Sequence, residues 1–229
     1  MSVYAIGDTH LSFSVDKPMD IFKGWDDYAQ RLENNWQRLI TNEDTVVING
    51  DISWAMGLEQ AEKDLEFLNN LNGTKIISKG NHDYWWNTIT KMEKFCKEKG
   101  FDTIKFLHNN AYKVGEISIA GTRGWFFDAE KDNVDKVMAR ECARLQRSID
   151  EARKLGGEVV VFLHYPPVST VKVCEPIVNV LKENDIKRCY YGHLHGGAIN
   201  GAINEVYDGV KFQLVSADYL QFCPLFINK

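Results

Sequence analysis

The stretch Val3-Tyr4-Ala5-Ile6-Gly7-Asp8-Thr9-His10 decides the fold. A short apolar run of strand length leads straight into glycine, aspartate and histidine. Such runs suit strands buried on both faces, as in parallel sheets covered by helices. The pattern returns along the chain. Residues 45–48 lead into Asn49-Gly50-Asp51, and residues 75–78 lead by way of Lys79 into Gly80-Asn81-His82-Asp83. Residues 159–163 lead into His164, and residues 188–191 into Gly192-His193-Leu194-His195. In α/β sheets the loops beyond the strand C-termini converge on one crevice. These loops would therefore deliver carboxylates, imidazoles and a carboxamide to one place.

Between the strands lie helical patterns. Tyr28, Leu32, Trp36 and Ile40 recur every four residues and share a face. Residues 58–70 and 87–99 read as helices. The longest pattern spans 132–155, with Val134, Met138, Cys142, Leu145 and Ile149 as its stripe, and Gly156-Gly157 stops it. The middle differs: 103–107, 111–114 and 117–120 read as three strands with short turns, and 206–215 as a hairpin. Mixed βαβ units and meanders predict an α/β fold of two packed mixed sheets flanked by helices. No repeat or linker interrupts the 229 residues, so a single domain over 1–229 is expected.

Composition narrows the class. Hydrophobic residues make up 44% and aromatics 12%, enough for a substantial core. The net charge is −5 with no long basic run, so nucleic acid is not an expected partner. No apolar run nears the ~20 residues that span a bilayer. The first residues lack the basic and apolar regions of a signal peptide. The five cysteines are odd in number and form no C-x-x-C pair, which speaks against a disulfide framework. A soluble, cytoplasmic protein is the expectation.

Of the six histidines, all but His108 fall in the loops after the strands. Imidazole with carboxylate suits Mn, Fe, Zn, Co or Ni, and no cysteine stands in those loops to make a thiolate site. His193 and His195 alternate across an extended segment, so a small twist lets each face a different ion, and Asp8 and His10 are likewise two apart. Gly7, Gly50, Gly80 and Gly192 would let the backbone turn sharply beside them. Taken singly, each residue has a plainer reading. An aspartate after a strand is commonly a cap or turn former, and a lone histidine a hydrogen-bonded core group. The ordered set outweighs those readings.

The series D-x-H, G-D, G-N-H-D, an isolated His and G-H-x-H resembles the calcineurin-like metallophosphoesterase superfamily, in the family's order from Asp8 to His195. The resemblance implies a four-layer αββα sandwich and a phosphohydrolase with two divalent or trivalent transition-metal ions. It assigns Asp8, His10 and His195 to one ion and Asn81, His164 and His193 to the other. Asp51 bridges both, one carboxylate oxygen for each. A hydroxide held between the ions would attack phosphorus, and His82 would be the general acid. The chain departs from protein Ser/Thr phosphatases. Where those place an aspartate that supports the catalytic histidine, three residues beyond the bridging one, this chain has Trp54, and their flanking arginine is missing. It is more similar to the small prokaryotic phosphohydrolases.

Other residues carry weaker signals. Arg123, in Gly121-Thr122-Arg123-Gly124, could grip a phosphate through its planar guanidinium or brace a loop. Trp54, Tyr84, Trp85, Trp86, Trp125, Phe126, Phe127 and Tyr165 crowd the loops. They would fill core under the loops, or wall a pocket for a base or aryl group. Asp83 is either an orienting group for its neighbours or a loop brace. The expected partner is a small phosphoester, nucleotide-like ones included. The rival readings are a metal-bound scaffold without turnover and a nuclease.

Overall fold

Side chains on a strand point alternately to opposite faces, so a strand apolar throughout must be covered on both. The computed structural model describes residues 1–124 and 134–228 and builds two sheets on this rule. The chain runs β1 (Val3–Ile6), α1 (Tyr28–Leu39), β2 (Thr45–Asn49), α2 (Glu62–Asn70), β3 (Thr74–Ser78), α3 (Ile89–Lys99) and β4 (Ile104–Leu107). It continues with β5 (Ala111–Val114), β6 (Ile117–Thr122), α4 (Val134–Leu155), β7 (Glu158–Leu163), α5 (Glu175–Glu183) and β8 (Arg188–Tyr191). The hairpin β9 (Val206–Tyr207) and β10 (Val210–Leu214) follows, then β11 (Leu225–Asn228).

One sheet has the order β11-β1-β2-β3-β4 and the other β5-β6-β7-β8-β10-β9. Parallel strands form the centre of each, and β11, β5 and β9 run antiparallel at the edges. Alternation sorts the side chains into layers. Val3, Ala5, Val47 and Ile76 meet Ile119, Val160, Phe162 and Tyr190 between the sheets. Ile6, Val46, Ile48 and Ile77 face outward onto Leu32, Trp36, Leu65, Leu68 and Met92 of α1, α2 and α3. Val161, Leu163, Cys189, Tyr191 and Phe212 face Leu145, Ile149, Ile177 and Leu181 of α4 and α5. This is the four-layer α/β sandwich. Full burial of one such side chain is worth about 1.5–3 kcal/mol. These clusters hold the sheets, and the polar loops are free to serve another purpose.

Most sequence-read elements recur within a few residues. The run 58–70 enters α2 only at Glu62. The 206–215 hairpin turns at Asp208-Gly209, both with positive φ as a two-residue type I′ turn requires. The three middle strands are not one meander. β4 closes the first sheet and β5 opens the second. Asn109 in the left-handed region, with Asn110 Oδ1 accepting the His108 N–H at 2.7 Å, makes the crossing. Two elements went unread. α5 has nine residues, and β11 is a four-residue edge strand. Both are too short to show a period. The start of the 132–155 helix, at 132–133, lies outside the described residues, as do Trp125, Phe126 and Phe127. Among the described residues, no helix is long and apolar enough to cross a membrane.

Candidate metal centre

The parallel strands β1, β2, β3, β7, β8 and β10 end at one rim, and backbone bonds tie their exits together. The Asp8 N–H donates to Gly50 O at 2.8 Å, His10 N–H to Asp51 O at 3.0 Å, and Gly192 N–H to His164 O at 3.0 Å. Asn49 clasps the two sheets: its Nδ2 donates to Leu163 O at 2.6 Å.

On this rim the seven sequence-read ligand candidates come together in two groups. Donor atoms of Asp8, His10 and His195 lie within 4.8 Å of one another, as do those of Asp51, His164 and His193. In the first group His195 Nε2 is 3.3 Å from both Asp8 Oδ1 and His10 Nε2. In the second, Asn81 Oδ1 is 2.7 Å from His164 Nε2 and 2.9 Å from His193 Nδ1. Asp51 stands between the groups. The sequence reading gave each Asp51 oxygen its own ion; in the structure Oδ1 accepts the His82 N–H at 2.7 Å, and Oδ2 lies 3.8 Å from His10 Nε2 and 3.5 Å from His164 Nε2.

The backbone here is strained. Asp8, His10, Asp51 and His193 have φ of 57°, 45°, 49° and 73°. A non-glycine residue there costs on the order of 1–3 kcal/mol, and such positions cluster at functional sites. The glycines serve mainly close approach rather than sharp turning. A Cβ on Gly80 would strike Asp51 Oδ1 and N, and one on Gly192 would strike Asp8 Oδ2. Only Gly50, at φ 83°, needs the left-handed freedom as well.

Several supporting groups were not read from the sequence. Asp218, beyond β10, accepts from His195 Nδ1 at 3.0 Å and from the Gly196 N–H at 3.0 Å. Asn49 O lies 3.1 Å from His164 Nδ1. Each contact fixes a ring so that Nε2 faces the cluster, the usual arrangement behind a metal-bound histidine. Asp218 had a signal, an aspartate shortly after the apolar end of a strand, masked by reading 206–215 only as a hairpin. Trp25 packs 5.8 Å from the rings of both His10 and His195, and no local motif marks it. Asp83 proves to be a loop brace. It accepts N–H groups of Gly80 at 2.7 Å, Ile52 at 2.8 Å and the Trp85 indole at 2.9 Å.

Electrostatics show what this set suits. Burial by itself raises the Asp8 carboxyl, but His195, His164 and His10 outweigh it and hold Asp8 well below the usual range. Burial and then the charge of Asp8 push Asp51 up. Burial lowers His10, His82 and His164, and takes His193 down to about 4. Burial also opposes charge on His195, yet Asp8 and Asp218 raise it to about 10. The site thus gathers buried carboxylates and mostly neutral imidazoles. Asp51, pushed up by burial and by Asp8, is a carboxyl whose ionised form a nearby cation would favour. Neutral imidazole with carboxylate is a donor set for borderline cations, so the residues fit two transition-metal ions. Ligation at His195 would release its proton.

The aromatic residues divide. Trp85 is core. Trp54 stacks on His10 with centroids 4.9 Å apart and lies 4.5 Å from the ring of His82. Tyr165 sits 4.6 Å from His193, and exposed Tyr84 sits 6.2 Å from His82. His82 itself is half-buried, with Nδ1 unpartnered among the described residues. Arg123 lies with its guanidinium 6.0 Å from the Tyr165 ring, and its carbonyl accepts the Tyr165 N–H at 3.0 Å. It is beside the donor clusters and outside both. His108 lines a neighbouring cavity with Trp86.

Known proteins were compared with the chain. The family model described as calcineurin-like phosphoesterase matches residues 1–197. An uncharacterised protein of Methanocaldococcus jannaschii is 29% identical over 96 residues, which are 40% of this chain and 52% of that protein. The chain thus spans about half the length of that curated relative. A protein of unknown function from Aquifex aeolicus shares the fold with TM-score 0.54 and 17% identity, over 98% of this chain and 95% of the other. Phosphopantetheinyl hydrolase from Mycobacterium tuberculosis does so with TM-score 0.53 and 14% identity, over 99% and 95%.

Proposed function

The chain belongs to the calcineurin-like phosphoesterase family, and from that premise we propose that it hydrolyses small phosphoesters with two metal ions held on the rim of its sheets. Asp8, His10 and His195 hold one ion. Asn81, His164 and His193 hold the other, and Asp51 serves both. The observation that carries this reading is Asp51 Oδ2, turned toward His10 Nε2 at 3.8 Å and His164 Nε2 at 3.5 Å, one from each group. Mn, Fe, Zn, Co or Ni would suit the donors. When bound, such a pair supplies an ionised water as nucleophile and offsets charge on the phosphoryl oxygens.

The chain's own groups do the rest. Asn81 offers a neutral oxygen, which limits negative charge near an anionic substrate. Asp218 and Asn49 hold the rings of His195 and His164 in register. His82 gives a proton to the leaving oxygen. Trp54, Tyr84 and Tyr165 wall the histidines with aromatic faces, so nucleotide-like esters belong among the candidates. The shared layer between the sheets supports one domain over 1–229, and the cysteine usage supports a reducing, cytoplasmic setting.

The test is a panel of phosphomonoesters, phosphodiesters, cyclic nucleotides and DNA, assayed with several divalent metals. Elemental analysis of metal-loaded protein should find about two ions per chain. Two ions without turnover on any ester would mark a scaffold, and preference for DNA a nuclease. One ion or none would end the two-metal reading.

We assign Arg123 to the substrate phosphate. Arg123→Ala should then raise KM or lower kcat. Arg123→Lys should rescue only partly, because an ammonium lacks the planar two-pronged contact. A lower melting temperature with unchanged kinetics would make Arg123 a loop brace.

A further inference from the structure

Beside the metal centre the C-terminal ends of β3, β4 and β6 surround a cavity of 490 Å³, within the ~300–1,000 Å³ usual for ligand sites. Its charge is one-sided. Lys79, Arg123 and Arg144 line it, and no carboxylate does among the described residues. Arg144 is paired with the buried Glu141, which also accepts from Thr122 Oγ1 at 3.0 Å. Lys79 has no ion-pair partner among the described residues. Trp86, on the cavity wall, keeps a buried indole N–H without an acceptor among the described residues. Thr88, also on the wall, caps α3 without a side-chain hydrogen bond, so partial positive charge at that helix end adds to the cations. Cations beside a helix N-terminus on one space are the chemistry of an anion site.

Cavity and metal centre are adjacent along two chain segments. Lys79 stands two residues before Asn81, on the same loop. Arg123 is bonded through its carbonyl to Tyr165, the neighbour of His164, and the Tyr165 ring packs against His193. The cavity therefore lies next to the histidine cluster, on the Arg123 and Tyr165 side. We propose that this cavity receives a second anionic group of the substrate, a phosphate-like dianion separate from the scissile ester, so that preferred substrates carry two anionic groups. The substrate named here rests on the phosphohydrolase reading; the cavity as an anion site does not.

Matched esters test the first point. Wild-type protein should hydrolyse 1,3-propanediol bisphosphate with kcat/KM about tenfold or more above that of propyl phosphate, the scale of one charge-assisted hydrogen bond. Lys79→Met should bring that ratio near unity at unchanged metal content, and Lys79→Arg should restore much of it. Calorimetry with pyrophosphate on chelator-treated protein gives a readout without turnover. Binding should weaken with salt and fall about tenfold or more in Lys79→Met. No preference in the wild type, or a preference and pyrophosphate affinity that survive Lys79→Met, would overturn the proposal. Phosphate that stimulates propyl phosphate hydrolysis through Lys79 would make the anion a separate effector and overturn the substrate claim. Lys79-dependent pyrophosphate binding with no ester hydrolysed would defeat the phosphohydrolase reading and uphold the anion site.

Discussion

Asp51→Asn should abolish hydrolysis and cost the protein at least one of its metal ions, with the fold intact. The substitution is nearly isosteric. An asparagine Oδ1 can still accept the His82 N–H that Asp51 Oδ1 accepts at 2.7 Å. Asparagine also tolerates the left-handed backbone that Asp51 adopts at φ 49°. What changes is the atom between the two histidine groups. The Oδ2 facing His10 Nε2 and His164 Nε2 becomes an NH₂, which donates where an anionic lone pair was needed. Because one atom faces both groups, both are damaged together. Changing an outer partner of a metal ligand typically costs about 10–100-fold in affinity or activity. Loss at Asp51 should exceed that, and should exceed the loss from His10→Ala, which touches one group. Metal content by elemental analysis, turnover on the best ester and a melting curve decide the matter. Full metal content with a near wild-type rate would leave Asp51 as a turn residue.

The same geometry shows why some of this was legible in the sequence and some was not. Asp8, His10, Asp51, Asn81, His164, His193 and His195 each stand shortly after the end of a strand, and a parallel sheet sends all such exits to one rim. Pattern alone therefore brings them together. The division of labour within Asp51 depends on which oxygen the His82 N–H captures, a fact of three-dimensional packing that no spacing records. Asp218 lies on the same rim, but its strand β10 reads with β9 as a hairpin, although β10 also pairs parallel with β8 inside the second sheet. β4 and β5 looked continuous because a three-residue crossing between sheets and a short turn within one sheet leave the same trace. The basic cavity was the least legible. Lys79, Arg123 and Arg144 are far apart in sequence and carry no shared motif, and only the meeting of both sheets with α3 and α4 assembles them.

Trp54 bears on the second large effect, expected at His82. The chain departs from the protein Ser/Thr phosphatases at Trp54, where those enzymes place an aspartate that supports the catalytic histidine. Here an indole ring lies 4.5 Å from the His82 ring instead, and His82 Nδ1 is buried without a partner among the described residues. Among the described residues no carboxylate holds a proton on this ring. Burial, then the charge of His164, keeps it below the ordinary 6.5. Such an imidazolium is a stronger acid but a scarcer one at neutral pH, so its contribution should fade as pH rises. Its hydrogen bond to the metal centre is made by the backbone N–H, to Asp51, while the ring packs 5.7 Å from that of His10. His82→Ala should therefore keep both metal ions. It should lose about 10²–10⁴ in rate on alkyl phosphoesters, the usual scale of general acid help. The loss on p-nitrophenyl esters should be distinctly smaller, because that leaving group is stable without a proton. Rising pH should erode wild-type kcat on the alkyl ester more than on the nitrophenyl ester, and His82→Ala should remove that difference. Equal losses on both esters would instead assign His82 to charge stabilisation at the phosphoryl group. Loss of metal in the variant would place the ring in a coordination shell and overturn the acid role.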